Sequence, residues 1–107
     1  MQEELWQVNI SDTDLQVSDP NKNVRSMQLS NIRGIAIQTN NSGPLGSDVI
    51  WLISDGDSTI SFPLGASGEN SALRFFQTLD GFDNLKFINA MSSTDNNVFI
   101  LFKKTEA

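Results

Sequence analysis

Six short stretches between residues 6 and 64 read as strands, most of them with apolar residues at every second position, and the connections between them are too short to hold a crossover helix. Alternation with period two is the mark of a strand with one buried face. Parallel neighbours need a crossover of a dozen or more residues, so these short connections commit the strands to antiparallel pairing. In the first stretch Trp6, Val8 and Ile10 share a face; after a turn at Ser11-Asp12-Thr13-Asp14, Leu15 and Val17 continue the pattern. A second turn follows at 18–23, where Pro20 pushes Asp19 towards extended backbone. The segment 24–29 predicts a third strand. The segment 32–39 predicts a stronger one, with Ile35, Ile37 and Thr39 aligned and Gly34 interrupting the early phase as a bulge does.

Residues 40–47, NNSGPLGS, carry Asn-Asn, Gly-Pro and a second Gly and read as a loop. Beyond them, 48–53 is apolar on both faces: Val49, Trp51 and Ile53 on one, Ile50 and Leu52 on the other. That pattern predicts a central strand packed on each side, or one on a curled sheet. Asp55-Gly56 has the composition of a type I′ hairpin turn. In the returning strand 58–64 Ile60, Phe62 and Leu64 align, while Pro63, which cannot donate to a ladder, marks an edge or an end.

At Ser67 the period changes. Ala72, Leu73, Phe76 and Leu79 recur at helical spacing, with Ser67 or Asn70 as candidate cap, Glu69 suited to the positive end of the helix, and Gly81 as the stop. A second helix is predicted to begin at Asp83, whose carboxylate can accept from the backbone of Leu85 or Lys86, with Phe82 and Phe87 as a hydrophobic staple and Leu85, Ile88 and Met91 turned inward. Polar residues 92–97 end it, and 98–104 forms a last strand, apolar on both faces. The order β-β-β-β-β-β-α-α-β implies an α+β fold: a curled antiparallel sheet of six to seven strands with two late helices, of which a pleckstrin-homology-like half barrel is one form. No internal repeat or long linker divides the chain, so one domain is expected over 1–107.

The missing residue types narrow the chemistry. There is no Cys, His or Tyr. A Ser-His-Asp triad, a CxxC motif, a zinc–thiolate site and an HExxH site are therefore excluded, leaving carboxylates, Lys, or Ser activated by Lys. The net charge of −6 sets the chain against phosphate backbones and anionic membranes, and the seven basic residues are scattered apart from Lys103 and Lys104. No apolar run approaches the ~20 residues of a membrane span. The acidic start, Met1-Gln2-Glu3-Glu4, lacks the order of a signal peptide, and a cytoplasmic protein is expected.

Candidate sites each compete with a structural role. SDGDS at 54–58 opens like a calcium loop but lacks the later ligands and the Glu at position twelve, so it reads as a turn. GASG at 65–68 precedes a helix, as a phosphate cradle does, but no Gly-Lys-Ser/Thr follows. Trp6 and Trp51 alternate in phase with aliphatic residues and read as core. Asp83 and the polar residues 92–97 have capping and turn work to do without a ligand. If a site exists, loops held by the scaffold are where to seek it: Ser42, Gly43 and Pro44 with Asp48 and Trp51; Phe82, Asp83 and Asn84; and Thr94, Asp95 and Asn96.

Taken together, SGPLGSDVIWLI, SFPLGASG, LDGFDN and AMSSTDNNVFI resemble a family of small bacterial proteins that share a G-P…D-V-x-W-x-L segment, a P-x-G-A loop, an L-P-G-F-D-N turn and an A-M-x-S-T-x-N-x-x-F ending. The resemblance spans roughly residues 32–102. It departs at Asp80, where the family has Pro, and at Lys103, where many members have Trp. It implies a small bacterial cytoplasmic protein and brings no activity with it. The function expected from the residues is a non-enzymatic protein-interaction module, self-associating or serving a larger assembly, without cofactor, metal, nucleic acid or membrane. Two alternatives stand beside it. One is a small-molecule or metal-dependent activity on Asp48, Asp83 and Asp95 near the GFDN turn; the other is an acidic inhibitor or immunity-type protein with a basic partner.

Overall fold

The computed structural model describes residues 5–43, 46–92 and 96–104, with side chains at 41–43 and 46–48 excepted. The chain is α+β and runs β1 (Gln7–Ile10), β2 (Asp14–Ser18), β3 (Val24–Gln28), β4 (Gly34–Gly43), β5 (Gly46–Ser54), β6 (Thr59–Pro63), α1 (Glu69–Gln77), α2 (Asn84–Met91) and β7 (Asn97–Lys103). This is the predicted order. The strands are divided, however, between an antiparallel sheet β1-β2-β3 and another ordered β6-β5-β4-β7, where alternation alone suggested one curled sheet. Alternation says which residues share a face; it does not say which strands share a ladder.

The turns follow local chemistry. Ser11 Oγ accepts from the Asp14 N–H at 3.0 Å and closes the β1–β2 hairpin. Asp19 accepts from the N–H groups of Asn21 and Asn23 at 2.9 and 3.0 Å, while Lys22 takes a positive φ of 67°. Between β5 and β6, Asp55 Oδ1 accepts from the N–H groups of Asp57 and Ser58, both at 2.8 Å. Only Gly56 in that loop has positive φ. The expected type I′ turn needs two such residues, so it does not form; an Asp-capped four-residue loop replaces it. Much of 40–47 is ladder rather than loop. Asn40 faces Asp48 and Gly43 faces Gly46, with a register shift between, because backbone pairing prolongs the hairpin whatever its side chains.

The core lies between the sheets and the helices. From the first sheet come Val8, Leu15, Val17 and Met27; from the second, Ile35, Ile37, Trp51, Ile53, Ile60 and Phe62; from the helices, Ala72, Phe76 and Ala90. Burying a side chain of Leu, Ile or Phe size contributes ~1.5–3 kcal/mol, so this cluster is the main source of stability. In β7 the register slips between Ile35 and Ala36 of its neighbour, so Phe102 faces Ile35 while Ile100 faces Ala36. Leu101 is the extra residue. The bulge belongs to β7, not to the Gly34 position, and it lets Leu101 and Phe102 both be buried while Ile100 points away.

Backbone bonds tie the first sheet to the segment that leads into α1. Ser67 N–H donates to the Trp6 carbonyl at 2.8 Å, and Val8 N–H donates to the Ser67 carbonyl at 2.7 Å, a short parallel bridge between β1 and the segment before α1. The next residue, Gly68, has φ +88°, and a Cβ there would lie 2.0 Å from the Val8 carbonyl oxygen. Glycine is needed on both counts.

Candidate functional site

Trp51 sits at the centre of the core and is fully buried. Its ring stacks on Phe62 and Phe87 at centroid distances of 6.0 and 5.6 Å and meets Phe76 at 5.5 Å. Its indole N–H donates to Glu69 Oε2 at 2.7 Å. No surface of the ring is left for a ligand. Glu69 Oε1 also accepts from the Gly65 N–H at 3.1 Å, so one carboxylate holds the core tryptophan and the turn after β6. Neither Ser67 nor Asn70 caps α1; the N-cap is Gly68, without a side-chain bond.

The GFDN turn is a helix start. Asp83 Oδ1 accepts from the Lys86 N–H at 2.9 Å, as expected of an N-cap, and Phe82 and Phe87 are both half-buried against the core. Asn84 Oδ1 accepts from Gln77 Nε2 at 3.1 Å and ties the start of α2 to the end of α1. Helix α1 ends at Gln77, earlier than Gly81, with Thr78 Oγ1 donating to the Phe75 carbonyl at 2.6 Å. The expected inward turn of Leu85 and Ile88 is not found. They are 69% and 60% exposed, because Phe87, Ala90 and Met91 take the face towards the sheet.

Of the three suspected loops, the described parts of two lie at one end of the four-stranded sheet, and the GFDN turn lies away from them. Asn96 lines a polar cleft of about 460 Å³ with Gln38, Thr39, Asn40, Asn97 and Val98, at the end of the sheet where Asn40 pairs with Asp48. Gly43 is paired to Gly46 beyond it. The side chains of Ser42 and Asp48, and the residues Pro44, Thr94 and Asp95, lie outside the described residues. The GFDN turn is attached elsewhere: the Asp83 N–H donates to the Leu101 carbonyl at 2.7 Å. Leu101 is four positions along β7 from Asn97, or ~13 Å at strand rise. Among the described residues no three His, Cys, Asp or Glu gather in a metal-binding group. A further cleft, about 280 Å³, is lined by Ser30, Asn31, Arg33, Asp55, Asp57 and Lys104. The Asp55 carboxylate there is engaged by its own turn, and those backbone N–H bonds hold its pKa below the ordinary carboxylate value.

A feature the site residues above do not include is the outer face of the four-stranded sheet. Ala36 lies between Leu52 and Ile100, and Gln38 between Ile50 and Val98. Val98 is 54% exposed and Ile100 48% exposed; Ala36, Ile50 and Leu52 are half-buried. An open hollow of about 430 Å³ runs over Gly34 and Ala36, walled by Leu52, Ile100 and Val98 and edged by Ser54, Thr59 and Lys103. Among the described residues that line it, Lys103 alone is ionisable. The signal was the apolar second face of β5 and β7, which predicted a packed partner that the described residues do not supply. Compared with protein families, curated proteins and solved structures, the chain matches none. Neither described helix is long and apolar enough to cross a membrane.

Proposed function

We propose that the chain is a non-enzymatic protein-interaction module and that the outer face of β5, β4 and β7 is its binding surface. The observation that carries this reading is the row Leu52-Ala36-Ile100 with Ile50 and Val98 beside it, apolar and open on the solvent side. Contiguous apolar patches rimmed by polar residues are characteristic of interaction sites, and this one is edged by Ser54, Thr59 and Lys103. The turn residues weigh in the same direction, since Asp55, Glu69 and Asp83 spend their carboxylates on backbone and indole N–H groups. Membership of the small bacterial family goes with this proposal. Its motif residues here do structural work, Trp51 in the core, Asp83 as cap and Ala90 on the buried side of α2, so shared motifs would report a shared scaffold.

The test compares wild-type and Ile100→Glu baits of matched thermal stability in capture from bacterial extract, with purified copies of whatever is captured rebound in isolation. A direct partner lost on substitution, with at least tenfold weaker binding, is the expected result. Partners retained in full by the variant would remove the face from consideration.

A further inference from the structure

Resting on that reading, we infer that the occupant of the outer face is a second copy of this chain, packed sheet on sheet about a two-fold axis. The face carries both halves of a self-matching contact. Its trough follows the small residues of β4, Gly34 and Ala36. Its ridge is the adjoining β7, where Val98 and Ile100 stand about half out of the surface. A two-fold axis lying in the plane between the two sheets, parallel to the strands and midway between β4 and β7, sets the ridge of each copy over the trough of the other, the residue-i-to-j and j-to-i arrangement of an isologous interface. Sheets stacked face to face lie ~10 Å apart with their inner side chains interdigitated, which matches half-exposed Val and Ile entering a hollow floored by Gly and Ala.

Charge is compatible with this occupant. The chain carries −6, yet among the described residues no acidic side chain lines the hollow, so the described parts of two copies can meet there without opposing carboxylates. Lys103 sits at the edge, opposite Gly34, where its ammonium can remain in water. The area sets the strength. Three strands at ~4.8 Å spacing give an apolar strip of the order of 200–300 Å², against ~800 Å² per partner in a standard interface. The dimer is therefore weak, with a dissociation constant in the micromolar range or above.

The experiment is sedimentation equilibrium of the intact chain from about 5 µM to 1 mM, with Ile100→Glu and Ala36→Leu alongside and thermal melts as the folding control. Wild type is expected to shift from monomer to dimer across that range. Ile100→Glu is expected to weaken the dimer at least tenfold, because it faces a carboxylate into an apolar contact. Ala36→Leu adds apolar surface but fills the trough, so it too is expected to weaken the dimer; a merely sticky face would be strengthened by it. Stronger self-association of Ala36→Leu, or a dimer untouched by both substitutions, would overturn the two-fold packing. Wild type monomeric at 1 mM would overturn it as well, and Ile100-dependent binding of a different protein in the capture assay would then leave the interaction surface standing with another occupant.

Discussion

The two helices begin in opposite ways. Helix α2 is started by its neighbours in the chain: Asp83 caps the Lys86 N–H three residues on, and Phe82 and Phe87 bracket it. Helix α1 is started by the rest of the molecule. Its N-cap Gly68 lies against the Val8 carbonyl, Ser67 before it is bridged to β1, and Glu69 reaches Trp51, 18 positions away. The first kind of start can be read from a few consecutive letters. The second exists only once the two sheets are assembled, so disturbing it should disturb the whole fold.

The largest expected effect follows from that difference. Gly68→Ala places a methyl group 2.0 Å from a backbone oxygen, in a left-handed conformation, at the junction of the sheets. Strain in αL costs ~1–2 kcal/mol and overpacking ~1–3 more, so a loss of about 3 kcal/mol or greater is expected in urea unfolding. A melt indistinguishable from wild type would mean that β1 is not seated on this turn. Glu69→Ala comes next. It leaves the buried Trp51 indole N–H without its acceptor, which costs ~1–3 kcal/mol. The double-mutant cycle with Trp51→Phe isolates the pair, and a coupling of about 1 kcal/mol is expected. Zero coupling would show the bond to be incidental to stability.

Asp83→Ala is expected to cost only ~1 kcal/mol, and Asp83→Asn less, since Asn caps nearly as well. Ser67→Ala, which the sequence pattern alone would rank equal to Asp83→Ala, should change stability by under ~0.5 kcal/mol, because Ser67 acts through its backbone. Equal losses at Ser67 and Asp83 would erase the distinction between the two starts.

The same distinction separates what could be read from the chain and what could not. The order of the described strands and α-helices, the Asp83 cap and the positions, though not the type, of the Asp19 and Asp55 turns depend on residues within a few positions of one another, so local letters suffice. Partition into two sheets depends on which edge finds which partner. The Glu69–Trp51 bond, the bulge at Leu101 and the exposure of Leu85 and Ile88 likewise depend on what arrives from elsewhere. The outer face was half legible: Ile50 and Leu52 announced a second apolar side, but alternation cannot say whether the chain covers it or leaves it for another molecule.

The smallest effect concerns pH and tests the local kind of site at its limit. Backbone N–H bonds lower the pKa of Asp19, with Asn23 the leading donor, and of Asp55, with Ser58 the leading donor. A carboxylate depressed on folding stabilises the fold fully above its unfolded pKa, near ~3.9, and loses that contribution as pH falls through the folded value. Melting temperature should therefore decline below about pH 4, and less steeply in the Asp19→Asn, Asp55→Asn double variant. Linkage counts only the difference between folded and unfolded chains, however, and every donor to these carboxylates lies within four positions of it. A turn that closes on itself can persist when the rest unfolds. A peptide covering residues 17–25, titrated by NMR, should keep part of the Asp19 depression, and the part it keeps is the part that cannot stabilise the fold. An Asp19 titrating normally in the peptide would make this turn, like the start of α1, a product of the assembled molecule.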